Sequence, residues 1–188
     1  MNACEASNFD YFRRVCARDF ALYFESPWWE GVVLRYAHAE PSIFHAALSI
    51  SVMSRTNYHP PSPASPLSSS SSTSWDHRYP GQPHPLHNAD LDSAAEYCLA
   101  QYLLAIRQLN ARLDSSVASV ELAAFASILF VYIEGMHGST RSMHIHLRGG
   151  LALVRTLDAR MSPNVGHLGW ALRQIREQVE QIEAREGT

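Results

Sequence analysis

The chain has 188 residues, 46% hydrophobic and 18% charged, which is enough apolar material for one globular core and too much for a wholly disordered polymer. Eighteen acidic against fifteen basic residues leave a net charge of −3, without the basic surplus that neutralising nucleic-acid phosphates requires, so specific DNA contact is not expected. All fifteen basic residues are arginine, which excludes a Schiff-base lysine, a P-loop lysine and a lysine general base together.

Cys4, Cys16 and Cys98 are odd in number, widely spaced and form no C-x-x-C pair, a pattern that fits a reducing compartment. Residues 1–14 mix charges with aromatics and lack an apolar h-region, so they do not read as a signal peptide. The longest apolar run, Leu122 to Ile133, has twelve residues interrupted by Ser127, short of the roughly 20 that a membrane span needs. No membrane association is expected.

In chain order, the first predicted helix covers residues 8–23, where Phe12, Cys16 or Val15, Asp19 or Phe20, and Tyr23 recur at three and four, and Pro27 bounds it. The second, residues 28–38, carries Val32, Val33 and Tyr36 and stops before Pro41, which suits the first turn of a third helix over 41–55. Phe44, Ala47, Leu48, Ser51 and Val52 form the apolar face of that third helix. Residues 57–87 hold seven of the ten prolines and the serine run 68–72, and read as a disordered Pro/Ser-rich insert. Beyond it, Ser93-Ala94-Ala95-Glu96 has capping-box spacing, and Cys98, Tyr102, Ala105, Ile106, Leu109 and Leu113 trace one stripe.

The fifth predicted helix, 119–136, is apolar on every side and belongs at the centre of the domain. Gly135 and Gly138 permit a reversal into the sixth, 140–157, whose Met143, Leu147, Leu151 and Val154 should pack back on the fifth. The last helix, 168–185, spaces Leu168, Leu172, Ile175, Val179 and Ile182 at four and three. The expected fold is all-α: one domain over residues 1–188, a helical hairpin array of about seven helices broken by the insert.

Candidate chemistry is sparse. Of the ten histidines, His144 and His146 with His137 upstream come nearest to a metal site, but side chains two apart on a helix diverge by about 200°. His59, His77, His84 and His87 fall in the insert. No G-x-S-x-G elbow or glycine-rich phosphate loop occurs, and Gly149-Gly150, inside a helical stripe, reads as a close helix approach. Glu134 with neighbouring histidines is the one catalytic candidate, a general acid or base of a small helical hydrolase or lyase; the competing reading is a salt bridge to Arg141 or His144. Arg141, His144, Arg148 and Arg155 form a basic stripe on the sixth helix that reads as a solvated face ahead of a site for an acidic ligand or phosphate, and Trp28-Trp29 and Tyr11-Phe12 read as core ahead of an exposed aromatic binding patch. No residue is assigned to catalysis, a metal or a cofactor. A third reading is a helix-pairing adaptor that uses the C-terminal seam.

Several segments, taken in order, carry a family resemblance. They are Phe9-Asp10-Tyr11-Phe12-Arg13-Arg14, Tyr23-Phe24 with Trp28-Trp29, and His38-Ala39-Glu40-Pro41 with His45-Ala46-Ala47-Leu48. Tyr102 to Leu109, Ile128 to Glu134 and His146-Leu147-Arg148-Gly149-Gly150-Leu151-Ala152-Leu153 continue the series. Together they resemble the regulatory-region domain of fungal-specific transcription factors of the binuclear zinc cluster class, from about Phe9 to Leu157 apart from the insert. The resemblance implies a nuclear, all-helical regulatory module without catalytic residues. It would act through a protein partner, such as the transcription machinery or a full-length regulator, or through a small effector. The family's DNA-binding unit is a cluster of closely spaced cysteines holding zinc, which three scattered cysteines cannot build. Residues from Ser162 onward lie outside the resemblance, so a product shorter than the family's full regulatory region is expected.

Overall fold

The computed structural model describes residues 1–56, 88–159, 162 and 164–186, so the expected insert, 57–87, lies outside the described residues. The described residues form helices joined by short turns, without a strand. The chain enters helix at Ala3, five residues before the predicted start, because Asn2 and Glu5 form a capping box. Asn2 Oδ1 accepts from the Glu5 amide at 2.9 Å and Glu5 Oε2 from the Asn2 amide at 2.8 Å, satisfying two otherwise orphaned donors. Helix α1 (Ala3–Tyr11), a π-helical turn (Phe12–Cys16) and α2 (Ala17–Tyr23) run on without a break. That turn carries Phe12 and Cys16 into the core. Glu25, at φ 49°, then reverses the chain, and α3 (Trp28–Ala39) begins just after Pro27. Glu40 is extended, as a residue before proline prefers, and Pro41 opens α4 (Pro41–Thr56).

Helix α5 (Asn88–Arg112) begins upstream of Ser93, which therefore sits inside the helix and does not cap it. Ser116 caps α6 (Val117–Met136) by accepting from the Ser119 amide, and Gly138, at φ 69°, reverses the chain into α7 (Thr140–Ala159). Helix α8 (Val165–Glu186) completes the array.

The packing is a set of antiparallel hairpins. Ser49 Oγ donates to the Cys98 carbonyl at 3.0 Å while His45 meets Gln101, so α4 and α5 run in opposite directions. Ser127 against Gly150 and Glu134 near His146 fix the same relation for α6 and α7. Val154 against Gly169 and His144 on Glu183 fix it for α7 and α8.

The sequence places one helix at the centre; the structure has two. Helix α6 is buried over almost its whole length, as expected, but α4 is buried nearly as completely. Ile43, Ala46, Ala47, Leu48, Ile50 and Met53 are all fully inaccessible, while Phe44, expected on the apolar face, is only half-buried. The serines Ser42, Ser49 and Ser51 hide this second core helix from a hydrophobicity reading: Ser49 and Ser51 each donate to a backbone carbonyl and so tolerate burial. Helix α6 is also long and apolar enough to cross a membrane by length and composition, yet 72% of its most apolar window is buried against the other helices, as in a core helix. Leu113, Tyr23 and Ile182, expected in apolar stripes, are exposed, Tyr23 at the end of α2, Leu113 just beyond α5 and Ile182 toward the end of α8.

Candidate ligand pocket and the polar cluster nearby

Between α2, α4, α6 and α8 lies a half-open cavity of about 690 Å³, within the range of roughly 300–1,000 Å³ typical of ligand pockets. Its floor is apolar: Phe24, Met53, Ile128, Val131, Ile175 and Val179 are all buried. Met53, Met136 and Met143 contribute three flexible thioethers, side chains that adapt to irregular ligands. The mouth is polar at its edge. Asp19 stands there with Ser54, Gln178 and the part-exposed rings of Tyr23 and Tyr132, and the Tyr23 hydroxyl donates to Gln178 Oε1. Desolvation raises the Asp19 carboxyl and the Tyr132 phenol above their ordinary values, and the Asp19 charge adds to the shift at Tyr132. No sequence signal marked this site, because its lining comes from elements scattered from Asp19 to Ile182 and every apolar member looks like ordinary core.

Glu134 lies elsewhere, and its partners differ from both expected ones. The Tyr102 hydroxyl donates to Glu134 Oε1 at 2.8 Å, and His146 Nε2 is 2.9 Å from the same hydroxyl and 3.9 Å from the carboxylate. Tyr102 has one proton and gives it to the carboxylate, so His146 Nε2 must be the donor to Tyr102, which assigns the tautomer. Burial holds His146 below the ordinary histidine value, opposed by the Glu134 charge, and acts the same way on His137, whose ring lies 6.4 Å from that of Tyr102. Burial and the Glu134 hydrogen bond push the Tyr102 phenol far above its usual range. This cluster joins α5, α6 and α7, and Glu134 does not line the cavity.

The other predicted positions sort clearly. His144 turns away from His146 and meets Glu183 of α8 at 2.6 Å, so Arg141 and His144 are not the partners of Glu134. Arg141, Arg148 and Arg155 are exposed. Trp29 and Phe12 are core, whereas Trp28 is part-exposed, stacked on His167 at 4.3 Å, and Tyr11 lies beneath the Arg55 guanidinium. Gly150 makes the expected close approach, and Gly149 has open space around its α-carbon. The seam of α8 is buried within the chain through Leu168, Leu172, Ile175 and Val179, which leaves it unavailable to a pairing helix. Among the described residues no group of three or more histidine, cysteine or acidic side chains could hold a metal. His59, His77, His84 and His87 lie outside the described residues.

One buried carboxylate escaped the sequence reading. Glu121 of α6 accepts from the Tyr36 hydroxyl at 2.8 Å, from Ser162 Oγ at 2.8 Å and from the Asn164 amide, tying α3 and the segment before α8 to the core helix. Three donors on one carboxylate make a structural anchor.

No curated protein and no solved structure matches the chain. The model of the fungal specific transcription factor domain matches residues 7–178. That span passes Leu157, where the residue-level resemblance ended, and takes in more than half of α8. With nearly the whole all-helical array inside the match, the chain belongs to the fungal specific transcription factor domain family.

Proposed function

We propose that this chain is a regulatory and interaction module of a fungal transcription regulator, working in the nucleus through a small effector or a protein partner and not by direct contact with DNA. The observation that carries the reading is the 690 Å³ apolar cavity with a polar mouth, set between the two core helices and the peripheral α2 and α8. A ligand seated there would touch helices from both halves of the array at once, the arrangement by which occupancy can bias their packing. The net charge of −3 leaves no basic surplus for neutralising phosphates. The Glu134 cluster fits a role in joining helices better than catalysis, since Tyr102 occupies the carboxylate and the cavity is elsewhere.

Two measurements on the purified chain test this. A gel shift against promoter DNA at near-physiological salt should show no sequence-dependent band, and the chain should retain a protein or small molecule when recovered from nuclear extract. A nanomolar, sequence-dependent shift refutes the indirect mode of action.

A further inference from the structure

Asp19 is the one charged side chain among the described residues lining the cavity. Its carboxylate stands exposed at the mouth, has no hydrogen-bond or ion-pair partner among the described residues, and Arg18, its chain neighbour, is the cation that acts on it. No cation among the described residues lines the wall. Below the mouth the surface is apolar, with Met53, Ile128 and Val131 at the bottom. Charge and hydropathy therefore divide the site into a head position with an unpaired negative group and a tail position lined by buried carbon and sulfur.

We infer that the cavity takes a cationic amphiphile, an apolar tail seated on the Met53, Ile128 and Val131 floor and an ammonium-type head held at the mouth by Asp19. This rests on the effector reading of the cavity and adds the ligand's chemical class to it. A carboxylate, phosphate or sulfate head is disfavoured twice, by repulsion from Asp19 and by the lack of a lysine or arginine among the described residues of the lining. A neutral alcohol gains the tail contacts and loses the charge. Tyr132, close enough to feel the Asp19 charge, offers its hydroxyl to the remaining head-group protons.

The test is isothermal titration of the full chain at pH 7 with decylamine, 1-decanol and decanoate, each below its micelle concentration. Decylamine should bind about fivefold more tightly than decanol, the scale of a part-exposed charge pair, and decanoate more weakly than either. Asp19→Asn should bring decylamine to the level of decanol while leaving decanol unchanged. Gly135→Leu extends a side chain into the cavity from a position where a Cβ meets Met143 Sδ at an ordinary 3.5 Å, and should weaken all three probes at least tenfold. If that variant loses its helical circular dichroism, Val131→Phe serves instead. Decanoate binding as tightly as decylamine, or an amine preference that survives Asp19→Asn, overturns the chemical class while leaving the cavity a binding site. Failure of all three probes to bind overturns the effector reading as well.

Discussion

Two adjacent glycines on α7 should respond to the same substitution with opposite signs. A methyl at Gly150 would stand 2.2 Å from Ser127 Oγ and 3.0 Å from Leu172 Cδ2, because α6 and α8 both close on α7 at that point. A methyl at Gly149 meets nothing within 4 Å and faces solvent. Replacing a helix-interior glycine by alanine gains about 0.5–1 kcal/mol from backbone entropy and propensity, and Gly149→Ala should show that gain. At Gly150 an overpacking cost of about 1–3 kcal/mol opposes it, for a net loss of about 1–2 kcal/mol. In a domain of this size the midpoint of thermal unfolding should rise by about 1–4 °C for Gly149→Ala and fall by about 2–8 °C for Gly150→Ala. Ser127 Oγ already donates to the Ala124 carbonyl at 2.7 Å, so it cannot turn aside without breaking that bond. Adding Ser127→Ala to Gly150→Ala should therefore recover part of the loss, whereas adding it to Gly149→Ala should not. Circular dichroism at 222 nm with heat and with urea reads all four chains. Equal stabilisation by both glycine substitutions would refute the close approach of α6, α7 and α8.

Phe125 is 1% exposed and stacks on the Tyr36 ring at 4.6 Å, so Phe125→Ala should cost about 3–5 kcal/mol in urea unfolding, and a loss below about 1 kcal/mol would mean that α6 is not central. Glu121→Ala strands the Tyr36 hydroxyl, Ser162 Oγ and the Asn164 amide and should cost at least about 2 kcal/mol, with Tyr36→Phe recovering part of it in the double variant. Because burial holds His137 and His146 below the ordinary 6.5, the unfolded chain takes up protons first on acidification. Their contribution to stability is complete above pH 6.5 and is lost as the pH falls toward the lower folded values, so the urea midpoint should drop between pH 7 and 5. The double variant His137→Gln, His146→Gln should flatten that dependence, and an unchanged slope contradicts the assignment.

The parts of the fold legible in sequence are those set by local chemistry. Pro41 and Gly138 fix their boundaries through dihedral angles alone, and Leu122 to Ile133 announces a core helix because no face is left for water. The start at Asn2 was equally local, but its capping box precedes a stretch with no apolar periodicity, so nothing drew attention to it. Burial of α4 is obscured because Ser49 and Ser51 satisfy their hydroxyls on backbone carbonyls, a property of bonding and not of residue type. Helix geometry did predict that His144 and His146 diverge, and they do. Which one would meet Glu134 depended on the rotation of α7 about its axis, set by Gly150 against Ser127 and Leu172. The Tyr102–Glu134 bond joins residues 32 apart in sequence and the cavity lining is drawn from Asp19 to Ile182, and no local pattern encodes such meetings.

The most direct measurement of the regulatory claim is a tethered reporter in a fungal cell: residues 1–188 fused to a heterologous DNA-binding module upstream of a reporter gene, beside the module alone and the Gly135→Leu chain. The account predicts that the fused chain changes reporter output relative to the module alone and that the folded Gly135→Leu chain loses most of the change. Output identical to the module alone, or an unaltered effect from the filled-cavity chain, would contradict it.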